Sequence, residues 1–297
     1  MNHSRSRSFS APLWSAVLAF VLTVSTGGVW TALLLSNLAI SPAIPWAVFA
    51  MALLLWLMWQ YLGGRWGPQS TAQARRHYRR AVPLPGRVFA WAIGAGLLSI
   101  TALIGYWIVL GQLVKIPTRI LLNSSSYPWL TVALVLVMAS LVSSLAEEVG
   151  FRGYCQGVLE HRVSGPVAIM IAALLIAPAH GLTQGFVWPV FIWYLFVDTM
   201  LGTLAYLTRS ILPGIVVHSL GLLIFFTLVW PSDQQRQMIW ETGVNPGFWL
   251  ALTQAAIFSL LALLAFAQLA KLTRGTHAGA RSLIPPSSED DASLPAL

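Results

Sequence analysis

From Ala11 to Ile40 the chain runs without a charged side chain, and that one stretch removes most folds from consideration. The hydrocarbon core of a bilayer takes about 20 helical residues to cross. The apolar core of a secretory leader is only about 7–15 residues long, so the run is read as a first transmembrane helix even though Arg5 and Arg7 precede it. Comparable runs return at about 43–62, 88–114, 128–159, 166–180, 186–207, 212–230 and 248–271. Pro42, Pro45, Gly63, Gly64, Gly67 and Pro68 punctuate the first joins. Within lipid every backbone N–H and C=O has to be satisfied inside its own segment, so such runs fold as helices. Hydrophobic residues make up 57% of the chain and charged ones 9%, with a mean hydropathy of +0.73. The expectation is an all-α, polytopic integral membrane bundle of about eight transmembrane helices.

The charges set topology. Arg65, Arg75, Arg76, Arg79, Arg80 and Arg87 share one interhelical segment with no acidic residue. By the positive-inside rule that segment faces the cytoplasm. Arg5, Arg7, Arg162, Arg209, Arg274 and Arg281 fall on the same side, which puts both termini in the cytoplasm of a multi-pass protein of the cell (inner or plasma) membrane. A surface helix drawn to anionic lipid is a secondary role for the arginine-rich segment. The formal charge of +8 forms no basic face, so the bilayer and not nucleic acid is the expected partner. The lone Cys155 excludes an intramolecular disulfide and any multi-cysteine metal site, and it reads as a small core residue. Three regions follow: residues 1–127 with the first three spans and the basic loop, 128–230 as the chemical core, and 231–297 with a polar external loop, the last span and an acidic, Pro/Ser-rich tail of disordered composition.

Inside the fourth run, Ser140–Val158, three ionisable side chains stand within six positions: Glu147, Glu148 and Arg152. Each charge near the middle of a membrane helix costs about 2.5–3.5 kcal/mol on insertion scales unless it finds a partner. Glu148 and Arg152 are four apart and can meet on one helical face, whereas Glu147 is turned about 100° away. Other polar groups at membrane depth are His180, Asp198 and His218, with Asn123, Ser143 and Ser144 read as packing or polar lining and Asp198 as a packing or water-cavity carboxylate. A glutamate with two histidines suits a catalytic zinc centre held by Glu147, His180 and His218, and equally a metal-free site in which a desolvated glutamate activates water. No HExxH signature is present, so the groups would have to converge from different helices. At 1.5 Å per residue, Glu147 and His180 lie about 20 Å from the cytoplasmic ends of their spans and His218 about 10 Å. Tilt, or a break near Gly150 and Gly153, has to bring them level.

The stretch Glu147-Glu148-Val149-Gly150-Phe151-Arg152, followed by Gly153, resembles the EExxxR motif of the CPBP intramembrane proteases, which include the type II CAAX prenyl endopeptidases and the bacterial Abi proteins. Ile176 to His180 is similar to their second motif with its histidine kept, and His218 to Leu222 to their third, with Leu222 where an asparagine is usual. The likeness covers about Trp129 to Trp230. It implies Glu147 as the base acting on water, His180 as its partner, His218 beside the oxyanion, and Glu148 and Arg152 as supports. The function it implies is hydrolysis of a peptide bond in a membrane-associated or lipidated, CAAX-type protein or peptide. The alternative is an impaired member serving as a membrane scaffold or a peptide- or lipid-binding protein, with Leu222 as its motive. A proton-coupled transporter would show inverted repeats or paired broken helices, and the sequence displays neither.

Overall fold

The structure is a computed structural model that describes residues 10–116, 126–184, 186–233 and 236–282, with backbone alone for 10, 182–184 and 275–282. The expectations for Arg5, Arg7, Asn123, the Arg281 side chain and the tail from 283 lie outside the described residues. Helices follow in the order α1 (Ser10–Ile40), α2 (Trp46–Leu62), α3 (Ala72–Tyr78), α4 (Gly86–Leu113), α5 (Trp129–Glu147), a π-helical stretch (Glu148–Cys155), α6 (Gln156–Glu160), α7 (Gly165–Gln184), α8 (Trp188–Thr208), α9 (Leu212–Ile224), a second π-helical stretch (Phe225–Val229), α10 (Trp230–Asp233), α11 (Ile239–Thr242) and α12 (Pro246–Ser282). Among the described residues six helices are long and apolar enough to cross a membrane, and the shorter apolar helices Trp46–Leu62 and Gly165–Gly181 complete the set. The chain is a polytopic helical membrane protein. Its outer surface is greasy, with Phe49, Leu250 and Leu263 well exposed, as suits a protein whose solvent on that side is lipid.

Without a hydrophobic force between helices in lipid, close packing relies on small residues. α4 and α12 run along one another, and a Cβ added at Gly105 would stand 2.7 Å from the Ala251 carbonyl oxygen. Gly96 does the same for α9, where an added Cβ would meet Val217 at 2.5 Å. These contacts seat α9, and with it His218, against the bundle.

The fourth apolar run is not broken at its glycines. It passes from α5 into α6 through the π-helical stretch Glu148–Cys155, a wide turn of a kind often found at functional sites. Gly150 lets α1 close in, an added Cβ there lying 3.2 Å from the Ala19 Cα, and Gly153 does so for the Tyr78 carbonyl. Arg80, whose φ of 50° is left-handed, donates to the Arg152 carbonyl at 3.2 Å, to Glu160 at 3.1 Å and to the Ala205 carbonyl at 3.1 Å. Part of the arginine-rich segment is thereby interior scaffolding. Arg75 packs on Tyr61 and Arg79 on Trp59, and burial, with the nearby Arg65 charge, holds the Arg79 guanidinium below its ordinary pKa. Cys155 is fully buried among Phe151, Ala168 and Ile176.

Candidate active site

The reactive groups come from five helical elements: Glu147 at the end of α5, Glu148 and Arg152 in the π-helical stretch, His180 on α7, Asp198 on α8 and His218 on α9. His218 stands between the two glutamates. Its Nδ1 lies 3.0 Å from Glu148 Oε1 and its Nε2 3.6 Å from Glu147 Oε2. Arg152 backs the pair, with Nε 3.7 Å from Glu148 Oε1 and Nη2 2.6 Å from Asp198 Oδ1. Asp198 Oδ2 in turn lies 3.8 Å from His180 Nε2. The result is a continuous run of alternating charge and imidazole, from Glu147 through His218, Glu148, Arg152 and Asp198 to His180.

Burial sorts these groups into two rows. Side-chain exposure is 12% at Glu147 and 20% at His180 but 0% at Glu148, 2% at Arg152 and 1% at Asp198. Glu147 and His180 can meet a substrate, while Glu148 and Arg152 can only hold the site in place. Glu147, His180, Asp198 and His218 all line one cavity of about 630 Å³, whose walls are otherwise mostly apolar side chains of α1, α4, α8 and α9. Ser143, one turn before Glu147, and Leu222, one turn after His218, also line it. Ser144 lies behind, its hydroxyl paired with that of Ser219.

Local sequence explains the placement. Gly214, one turn before His218, leaves room for the Glu148 carboxylate, which an added Cβ would strike. Pro178 inside α7 removes one backbone donor just ahead of His180. At the far end of the cavity Trp107 donates Nε1–H to Asp233 at 2.8 Å. Asp233 pairs with Arg236, which donates to the Trp107 carbonyl at 3.2 Å. Burial pulls the Arg236 guanidinium below its usual range, and Asp233 works against that. The segment after α10 is thus pinned to α4 through Asp233 rather than leaving that carboxylate in water.

Asp198 lines the cavity, in keeping with its expected place, and also stands between Arg152 and His180. Tyr194 was not singled out, yet its ring stacks on the His180 imidazole with centroids 3.8 Å apart and planes 6° from parallel. The available signal was spacing: Tyr194 and Asp198 are four apart, so both sit on one face of the only span with an aspartate in its middle. Among the described residues no group of three His, Cys, Asp or Glu side chains is gathered so as to hold a metal ion. The zinc expected on Glu147, His180 and His218 therefore carries no step in the chemistry below.

Fold and site together define a polytopic helical membrane protein with a carboxylate–imidazole cluster opening onto an apolar cavity. Residues 128–224 match the family model of the Rce1-like type II CAAX prenyl endopeptidases, within the CPBP/CAAX protease family that the Glu147–Arg152 stretch, His180 and His218 resemble. No curated protein and no solved structure matches the chain.

Proposed function

We propose that the protein is an intramembrane endopeptidase that hydrolyses a peptide bond in a membrane-associated or lipidated, CAAX-type protein or peptide. The observation that carries this is the Glu147 carboxylate 3.6 Å from His218 Nε2 on the wall of an apolar cavity. That gap is too long for a direct hydrogen bond, and it suits a water about 2.8 Å from each atom. Glu147 takes a proton from this water as its oxygen bonds to the scissile carbonyl carbon. With Nδ1–H given to Glu148, the doubly protonated His218 donates Nε2–H to the oxyanion that forms, a contribution of about 2.7–4 kcal/mol for a well-aimed donor. The C–N bond then breaks, and the departing amine takes the proton held on Glu147. His180, on the wall of the same cavity, is the partner that orients the water. Glu148 and Arg152 fix His218.

The arginine distribution supports an orientation with both termini in the cytoplasm of the cell membrane and cleavage near that face. The test is hydrolysis of a prenylated peptide by purified protein in proteoliposomes, with E147Q as the comparison. Wild-type cleavage that E147Q reduces to background is the expected result, and full activity in E147Q refutes the assignment. Metal analysis with and without chelator separates this route from a zinc-dependent one. Leu222, on the cavity wall where the family carries asparagine, favours the second reading, a non-cleaving peptide- or lipid-binding protein. That reading gains if the wild type binds the peptide and leaves it intact.

A further inference from the structure

We infer that Thr23, on α1 and outside the region that matches the family, is a substrate-contacting residue whose hydroxyl pairs with a main-chain amide group of the bound peptide. The inference deepens the peptide-hydrolysis reading and rests on it for the identity of the ligand. Thr23 lines the cavity together with Glu147. Its Oγ1 is buried and has no hydrogen-bond partner among the described residues. A hydroxyl in a membrane helix commonly returns its proton to the carbonyl three or four residues back. Ser99, Thr101 and Ser140 do so here, at 2.8, 2.9 and 2.8 Å. On α1 itself Ser25 uses the Val21 carbonyl, and Thr26 turns to the Met58 sulfur at 3.9 Å. Thr23 does neither.

The carbonyl that Thr23 would use belongs to Ala19, and it faces the π-helical stretch, 3.2 Å from where a Cβ on Gly150 would stand. Ala19 is itself buried among Phe151, Cys155 and Ile176. One turn before Thr23, therefore, α1 is fixed against the segment that carries Glu148 and directly follows Glu147. A buried hydroxyl left unpaired is costly, so a ligand that supplies the missing partner is favoured there. The next turn of α1 leaves room for one. Gly27, four residues on and on the same helical face, also lines the cavity, and a Cβ added to it would meet nothing within 4 Å. The occupant is a peptide main chain rather than a hydrocarbon tail, because only the peptide carries N–H and C=O groups along its length. An alkyl chain against Thr23 would leave the hydroxyl as unpaired as before.

The experiment reads affinity rather than turnover. A fluorescent prenylated peptide is titrated with E147Q, E147Q/T23V and E147Q/T23S in nanodiscs, with empty nanodiscs as the reference. T23V keeps the branched shape and removes the hydroxyl; it should weaken binding about fivefold, the worth of one neutral hydrogen bond, while T23S stays within about twofold of its parent. The thermal midpoint of T23V should be unchanged or raised, since the group removed had no partner in the free protein. A second set of peptides carries an ester in place of one backbone amide at each position in turn. At one position the ester should weaken binding to E147Q and make no difference to E147Q/T23V, a coupling that a general loss of packing does not produce. The same coupling is read with T23A, so that the result does not hang on one change of shape. Equal affinity of the three proteins overturns the inference, and so does an ester effect that is the same with and without the hydroxyl, or no peptide binding above empty nanodiscs. The coupling observed together with a wild type that cleaves nothing counts against the protease reading alone.

Discussion

Replacing Gly214 by alanine tests the geometry of the site with a single methyl group. A Cβ at that position would strike Glu148 Oε2 and stand 3.1 Å from its Cδ and 3.7 Å from its Cγ. Glu148 has nowhere to retreat: it is fully buried, with His218 Nδ1 at 3.0 Å and Arg152 Nε at 3.7 Å. Overpacking of this type costs about 1–3 kcal/mol of stability. Displacing the carboxylate also weakens its hydrogen bond to His218, and bonds involving a charged group contribute about 1.5–3 kcal/mol. Carried into the activation barrier, that is a loss of about 10- to 150-fold in kcat. The assay is cleavage of a prenylated peptide in proteoliposomes alongside thermal unfolding followed by tryptophan fluorescence. G94A is the control, because a Cβ at Gly94 meets nothing within 4 Å, and it should be neutral or slightly stabilising. A G214A protein with wild-type kcat and wild-type midpoint would show that Glu148 does not sit behind His218.

Two further outcomes follow from the same contacts. Replacing Leu222 by asparagine adds a donor one turn after His218 on the cavity wall and should raise kcat at least tenfold, given that one oxyanion donor is typically worth about 10²–10³; unchanged turnover by a folded L222N would mean that this side chain does not face the oxyanion. Cys155, fully buried, should resist maleimide labelling in mild detergent and react once the protein is unfolded in SDS, since thiols in apolar cores are inert; rapid labelling of folded protein would contradict the packing around it.

The helices were legible because apolar run length is a one-dimensional signal, and the runs near 88–114 and 128–159 match α4 and the Trp129–Glu160 span. The meeting of Glu148 with Arg152 was legible for the same kind of reason, since four residues along a helix is a local distance. What joins Glu147 to His218, or Asp198 to His180, is a tertiary contact between helices far apart in sequence, and nothing periodic announces it. Glycines inside the fourth span suggest a break near Gly150 and Gly153 if the span does not tilt, and no break occurs. The chain instead widens into a π-helical stretch there, because those glycines admit Ala19 and Tyr78 without ending the helix. The arginines of the 65–87 segment carry the charge bias of a topology signal, but composition could not reveal that Arg80 also holds the carbonyls of the buried Arg152 and Ala205.

The cavity draws its surroundings from two sources. Its ionisable groups belong to residues 128–224, while Gly27, Gly28 and Thr31 of α1 and Ile104 and Trp107 of α4 come from sequence ahead of that region. The carboxylates and imidazoles thus lie in one stretch, while part of the wall that a bound molecule would touch comes from another. A chimera that exchanged α1 and α4 while keeping Gly96 and Ala19, which seat the core, would ask how far the foreign wall decides which molecules enter.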